Sequence, residues 1–242
     1  MYSVKAFFIW SAAALLINAQ LDEATYPFQA PTDTDVRSPC PGLNAAANHG
    51  LLPRDGKNVD LDTLAKALYT AYHLDYDAGV YVGSIGIATS TTGNASTFNL
   101  DDLAQHTPQV LEHDGSMSRN DSYWGDDNSF NEQAWARTLA HWGDNETITF
   151  AVAAAERTAR VAYGVATNPE FNTTFGTTPS CLEYSLILSA FGDPTEGNGN
   201  ATYIKYLIEN DRLPLELGYQ PPTTNITKAS ALTMASQIGA LL

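Results

Sequence analysis

The stretch Arg37–Gly50, RSPCPGLNAAANHG, holds a cysteine between two prolines at the start of a predicted helix. Pro41 suits the first helical position, and Gly50 suits the residue that follows the last turn. This spacing places Cys40 at the N-terminus of the helix, where free backbone N–H groups and the helix dipole favour negative charge. We therefore expect a lowered pKa for the Cys40 thiol and a rigidly held thiolate.

The sequence has two cysteines, Cys40 and Cys181. In a secreted chain, a disulfide between them is the ordinary interpretation. The alternative keeps Cys40 as a thiolate, which is a good axial ligand for haem iron. Cys181 would then be a buried free thiol or a link to a second chain. The cysteine pattern alone leaves both interpretations open.

Length and charge limit the class of protein. A chain of 242 residues is long enough for one sizeable core, and no stretch of it marks a linker. We therefore predict a single domain over residues 20–242. The formal net charge of −15 would repel the phosphates of DNA or RNA, which argues strongly against nucleic acid as a partner.

Residues 1–19 have the pattern of a signal peptide, with Lys5 before an apolar run and Ala19 as a small residue for cleavage. The run is shorter than the roughly 20 residues that a membrane span needs, so we expect no membrane anchor. Six N-x-[ST] sequons predict a secreted eukaryotic glycoprotein. They begin at Asn94, Asn120, Asn145, Asn172, Asn200 and Asn225.

Apolar residues recur at helical spacing along most of the chain, and period-2 alternation is nearly absent. This predicts an all-α domain with long polar loops and little or no sheet. Residues 80–89 are small and apolar, and they suit either a strand or a buried helix. The predicted helices cover residues 41–49, 61–72, 132–141, 148–166, 181–191, 203–210 and 228–241.

A cluster of oxygen and nitrogen ligands lies in Leu111–Asp121, LEHDGSMSRND. Glu112, His113, Asp114 and Ser116 fall within five residues. That density suits a hard divalent cation. An acidic surface loop, in which these side chains make turn hydrogen bonds, is the alternative.

Glu156 lies in an alanine-rich predicted helix, within TFAVAAAERTARVAYG at Thr149–Gly164. A carboxylate among small apolar side chains suits a general acid–base that faces a pocket. The alternative is an exposed i,i+4 pair with Arg160, which contributes little to stability.

Together, the Pro-Cys-Pro turn, the Glu-His-Asp-x-Ser motif and the later glutamate resemble the haem-thiolate peroxidase family, the fungal chloroperoxidase and short unspecific peroxygenase group. The stretches SPCPGLNAAANHGLLPRDG, EHDGSMSRND and TNPEFN are also similar to this family. The resemblance runs from about Ser38 to the C-terminal helix. It implies a compact all-α bundle around a buried haem.

The resemblance also implies roles for individual residues. Cys40 matches the axial ligand of haem b. Glu112, Ser116 and the backbone carbonyl of His113 match a Mg²⁺ or Mn²⁺ site near a haem propionate. Glu156 matches the distal acid–base residue, with His113 orienting it. The long peroxygenases carry an arginine seven residues before that glutamate, where this chain has Thr149, so the short branch is the consistent match.

The function implied is that of a secreted peroxygenase, which uses hydrogen peroxide to hydroxylate or epoxidise small organic substrates. One-electron peroxidase activity would accompany it. A chloroperoxidase-type haloperoxidase, which also takes halide, is the alternative within the family. A non-catalytic secreted acidic glycoprotein is the alternative from another class. We expect a monomer or a dimer linked through Cys181.

Overall fold

The computed structural model describes residues 21–106, 111–173 and 177–242. The predicted signal peptide, residues 1–19, lies outside them. The described residues form eight α-helices, which confirms the predicted all-α class. The helices are α1 Pro41–Asn48, α2 Leu61–Tyr72, α3 Tyr76–Ile87, α4 Glu132–Trp142, α5 Phe150–Thr167, α6 Thr177–Ala190, α7 Ala201–Asn210 and α8 Lys228–Gly239.

Most of these helices begin at a short polar residue whose side chain accepts a hydrogen bond from the first turn. Asp60 accepts from the Thr63 amide at 2.8 Å at the start of α2. Thr149 caps α5, and Asn200 caps α7. These caps satisfy backbone donors that have no partner inside the helix.

The structure decides one open assignment and shifts one helix. Residues 80–87 of the small apolar stretch are helical, as part of α3, which confirms the helix rather than the strand. α6 begins at residue 177, four residues before the predicted start, because its first turn is polar and the apolar pattern begins only at Cys181.

α2 and α3 pack closely because Gly79 has no side chain. A Cβ at Gly79 would lie 2.9 Å from the Cα of Ala65, which is closer than real Cβ contacts. The two backbones therefore approach at this point.

The remaining core forms where α4 packs on α5 and where α6 packs on α8. Trp142 and Tyr184 are fully buried between these layers, together with Leu188 and Ile238.

Two short antiparallel ladders join the loops. β1 (Val59–Asp60) pairs with β2 (Thr97–Phe98), and β3 (Thr147–Ile148) pairs with β4 (Gly199–Asn200).

The surface of the fold bears on two of the predictions. Among the described residues, no helix combines the length and hydropathy needed to cross a lipid bilayer. Five of the six sequon asparagines are exposed, which suits attachment of glycans, whereas Asn120 is half-buried.

Candidate active site

Cys40 is the N-cap residue of α1, and its side chain makes no capping hydrogen bond. The thiol lies deep among protein atoms, yet it is exposed to solvent. It therefore faces an opening inside the fold. Both cysteines are free, so the disulfide interpretation is wrong. Cys181 is buried on α6, where a Cβ on Gly239 of α8 would lie 3.7 Å from its sulfur.

Burial raises the pKa of the Cys40 thiol above its ordinary value. The backbone N–H groups of Leu43 and Gly42 and the charge of Arg119 act in the opposite direction, but they do not overcome burial. The predicted lowering of this pKa is therefore wrong for the thiol itself. A metal ion on the sulfur displaces the thiol proton outright, and the same amides then stabilise the thiolate.

Hydrogen bonds within the Cys40 turn hold the sulfur in place. Asn44 Oδ1 accepts from the Ser38 amide at 2.8 Å, and Asn44 Nδ2 donates to the Ser38 carbonyl at 2.8 Å. The Ser38 hydroxyl accepts from the Cys40 amide at 3.2 Å. The buried amide side chain of Asn44 therefore fixes both the Ser38–Cys40 turn and the first helical turn of α1.

The same network continues to Asp211 and Arg119. Asn44 Nδ2 also donates to Asp211 Oδ2 at 3.0 Å, and Asp211 Oδ1 lies 3.6 Å from Nη2 of Arg119. Arg119 is buried and also donates to the Asn128 carbonyl. A cation is therefore held behind the Cys40 turn by contacts that do not involve the sulfur.

His113 forms an ion pair with Glu183 of α6. His113 Nε2 lies 3.3 Å from Glu183 Oε1, and His113 Nδ1 lies 2.8 Å from the backbone oxygen of Asp114. The imidazole is buried, whereas the Glu183 side chain is 46 % exposed although it lies deep among protein atoms. Cys40 and Glu183 are both exposed although they lie deep among protein atoms, and the charge of Glu183 acts on Cys40, from which we infer that they border the same opening.

The pair shifts the pKa values of both partners toward their charged forms. Burial disfavours the imidazolium, but the charge and hydrogen bond of Glu183 outweigh it and raise the pKa of His113. Burial likewise disfavours the carboxylate, but His113, Arg160 and Arg157 outweigh it and lower the pKa of Glu183. The opening therefore contains an ionised carboxylate held by a cation.

The structure does not place Glu156 with His113, which corrects the predicted His113–Glu156 pair. Glu156 is 0 % exposed. Its Oε1 lies 2.6 Å from Arg160 Nε and 2.8 Å from Thr138 Oγ1, and its Oε2 accepts from the Tyr184 hydroxyl at 2.5 Å. Both oxygens are thus occupied inside the core.

Arg160 extends this buried network to the loop that carries the ligand cluster. Its Nη1 donates to the Gly115 carbonyl. The i,i+4 pair of Glu156 with Arg160 exists, but it is buried rather than exposed as the alternative interpretation had it. Its role in the described structure is to join α5 to the loop beside His113.

Glu183 was missed by sequence reasoning, although a signal for it exists. It is the only charged residue in the apolar segment CLEYSLILSAF, residues 181–191. A lone carboxylate in an apolar helix requires a partner or a function.

The predicted cation ligands are only partly brought together. Glu112 is buried, and its Oε2 lies 2.6 Å from His106 Nδ1. His106, Glu112 and Asp127 each present a ligand atom within 4.8 Å of one another, so they could hold a metal ion. Burial raises the pKa of Glu112 to about 7. His106 and Asp127 were not predicted, because they come from loops on either side of the motif.

The Ser116 hydroxyl, predicted as a cation ligand, instead accepts hydrogen bonds within its own turn. Its Oγ accepts from the Arg119 amide at 3.3 Å and lies 3.4 Å from the Ser118 amide. These are turn hydrogen bonds of the kind that the surface-loop alternative predicted. Both lone pairs of this oxygen thus face backbone amides, so binding a cation through Ser116 would replace one of these hydrogen bonds.

The opening suits a haem held through a thiolate. On one side, a free sulfur lies at a helix N-terminus with two amides aimed at it, which suits an axial ligand. A Cβ at Gly42 would lie in ordinary van der Waals contact with the sulfur, at 3.8 Å, so the glycine leaves that side of the sulfur uncovered. Nearby, the Glu183 carboxylate and the His113 imidazole provide a group that can accept and return a proton.

The chain is similar in sequence to a family of peroxidases and to individual fungal enzymes. The profile of the family described as "Peroxidase, family 2" matches residues 26–224. An aromatic peroxygenase of Coprinellus radians is 30 % identical over 64 % of this chain and 65 % of its own length. An aromatic peroxygenase of Cyclocybe aegerita is 31 % identical over 67 % of this chain and 47 % of its own.

A third relative covers more of the chain. A chloroperoxidase of Leptoxyphium fumago is 27 % identical over 90 % of this chain and 64 % of its own length. The chain thus spans about half to two thirds of the curated relatives that it matches.

Replacing Glu156 with glutamine should lower the free energy of unfolding by about 3–5 kcal/mol, because the buried Arg160 guanidinium loses its counter-ion. Chemical denaturation measures this change. Glu170→Gln, at an exposed carboxylate just beyond α5, is the control and should stay within about 0.5 kcal/mol of the parent. Equal stability of the two variants would contradict the structural role of Glu156.

Proposed function

Because the chain belongs to the family 2 peroxidases, we propose that it is a secreted haem-thiolate peroxygenase that uses hydrogen peroxide to insert oxygen into small organic substrates. Membership of the family implies a haem cofactor. The observation that supports this function best is the opening bordered by the free thiol of Cys40 and by the His113–Glu183 pair. One-electron peroxidase activity is part of the proposal.

Cys40 is proposed as the axial ligand of haem b. When bound, the haem supplies the redox chemistry that breaks the O–O bond of hydrogen peroxide, and a thiolate ligand favours that cleavage. The protein holds the thiolate still through Asn44 and Ser38 and offsets its charge with the amides of Gly42 and Leu43.

We propose that Glu183, rather than Glu156, accepts a proton from hydrogen peroxide and returns it to the leaving oxygen. Its carboxylate faces the opening, whereas both oxygens of Glu156 are occupied inside the core. His113 holds Glu183 Oε1, which leaves Oε2 as the atom that moves the proton. The ionised state of Glu183 is the state that a base requires.

The cation site is proposed at Glu112. The carboxylates of Glu112 and Asp127 and the imidazole of His106 offer a ligand set, which the His113 carbonyl and Ser116 would complete around Mg²⁺ or Mn²⁺ near a haem propionate. His113 would then connect this cation to Glu183 through one residue.

A haloperoxidase is the second candidate. The chloroperoxidase relative matches 90 % of this chain, more than either peroxygenase does. The proposed pair of Cys40 and Glu183 would serve either reaction. The two functions differ in whether halide from solution appears in the product.

Secretion and a monomeric state complete the proposal. The predicted signal peptide and the exposed sequon asparagines support a secreted glycoprotein. Cys181 is buried between α6 and α8, so a dimer linked through it would require these helices to separate. We therefore favour the monomer.

The spectrum of the ferrous protein with carbon monoxide tests the thiolate ligand. We expect a strongly red-shifted band that Cys40→Ala abolishes and that Cys181→Ala retains, because only Cys40 faces the opening. A protein that binds no haem would instead support the non-catalytic glycoprotein.

Replacing Glu183 with glutamine should reduce peroxide-driven kcat/KM by about 10²- to 10⁴-fold, the usual contribution of a general acid–base. Haem absorbance should be retained, and Glu170→Gln should match the parent. Full activity of Glu183→Gln would show that the acid–base group lies elsewhere.

The same assay with and without bromide, followed by analysis of the product for halogen, separates oxygenation from halogenation.

Glu112→Gln should reduce the content of tightly bound Mg²⁺ or Mn²⁺ in the purified holoenzyme, because it removes a charged ligand from the cluster. Metal analysis measures this content. Glu132→Gln, at an exposed position on α4, is the matched control. Equal metal content in both variants would place the cation elsewhere.

A further inference from the structure

Two arginines of α5 are buried next to the proposed active site, but within the described residues only one of them is paired. Arg160 forms the ion pair with Glu156 and donates to the Gly115 carbonyl. Arg157 is 1 % exposed, and its three guanidinium nitrogens have no hydrogen-bond partner in the part of the chain that the structure describes. Within the same residues, no carboxylate lies within 4.0 Å of it.

An unpaired guanidinium is costly to bury, because the charge loses its hydration and gains no compensating hydrogen bond. Burial, together with the like charge of Arg160, lowers the pKa of Arg157 to about 10. The group nevertheless remains a cation at neutral pH. A buried cation with five free N–H donors therefore suits an anionic ligand.

The surroundings of Arg157 place this cation beside the catalytic pair. Its charge acts on Glu183 and on Cys181, which lie on α6. A Cβ on Gly115 would lie 3.4 Å from Arg157 Nη1 and 3.2 Å from the Phe171 ring. Gly115 has φ +72° and no side chain, so the backbone of the loop approaches the guanidinium closely.

We propose that Arg157 anchors a carboxylate-binding subsite beside Glu183. A planar guanidinium donates two parallel hydrogen bonds to a carboxylate, a geometry that it matches better than that of a spherical ion. The carboxylate belongs either to an acidic organic substrate or to a haem propionate. Arg157 has no exposed nitrogen, so a ligand would have to displace a neighbouring side chain, such as the half-buried Phe171 ring.

The proposal rests on the proposed function, because both sources of the carboxylate lie at its active site, but formate binding to Arg157 can be measured without haem. A substrate carboxylate would make the enzyme select organic acids and hold them next to Glu183. If the carboxylate is a haem propionate, Arg157 would help to hold the haem in the protein. A purely structural Arg157 predicts neither effect, because replacement of an unpaired buried charge by an apolar side chain of similar length is neutral or stabilising.

The test compares the purified protein with Arg157→Met, Arg157→Lys and the control Arg137→Met. Arg137 lies on α4 with its guanidinium 4.1 Å above the Tyr163 ring, and its replacement removes the same charge outside the site. Formate is the probe, titrated calorimetrically at constant ionic strength. Haem retention is measured as the rate of transfer to excess apomyoglobin.

If the ligand is a substrate carboxylate, formate binds the parent, and Arg157→Met weakens it by at least about tenfold, whereas Arg157→Lys retains part of the affinity. If the ligand is a propionate, formate does not bind the parent, but Arg157→Met releases haem at least about tenfold faster than Arg137→Met. Unchanged formate binding together with unchanged haem release in Arg157→Met would overturn the proposal. A chain that takes up no haem would refute the proposed function, yet its formate titration would still test the first source.

Discussion

The hydrogen bonds between Asn44 and Ser38 are the constraint on which the candidate site depends. Most other helices of this fold use the side chain of their N-cap residue to satisfy the first-turn amides. At α1 that arrangement is reversed, because the cap position holds a sulfur that must stay free. A buried amide from inside the helix reaches back and fixes the turn instead. The amides that a capping oxygen would have satisfied thus remain available to the sulfur.

Two glutamates on neighbouring helices show how environment assigns roles to identical side chains. Glu156 has a cation, a phenol and a hydroxyl around it, so its charge is fully compensated and its position is fixed. Glu183 has one buried imidazole and an open side. The compensated carboxylate joins helices to the ligand loop, whereas the open one has a free oxygen that can exchange a proton.

Local patterns predicted the helices, the position of Cys40 and the region of the candidate cation cluster, because each depends on residues close together in sequence. The choice between Glu156 and Glu183 depends on how α5 and α6 are oriented within the folded core, which helical periodicity does not determine. His106 and Asp127 meet Glu112 only through loop folding. The direction of the Cys40 pKa shift depends on burial, and the N-cap position alone suggested the opposite sign.

The burial of Cys181 protects its sulfur when the protein is in an oxidising solution. Sulfur atoms are oxidised according to their exposure and thiolate character. Met117 and Met234 are buried like Cys181, so among the described residues Cys40 is the one sulfur that solvent can reach. A protein arranged in this way shields its other sulfurs from dissolved oxidant. Oxidative inactivation would therefore begin at Cys40, within the opening itself, rather than at the outer surface of the fold.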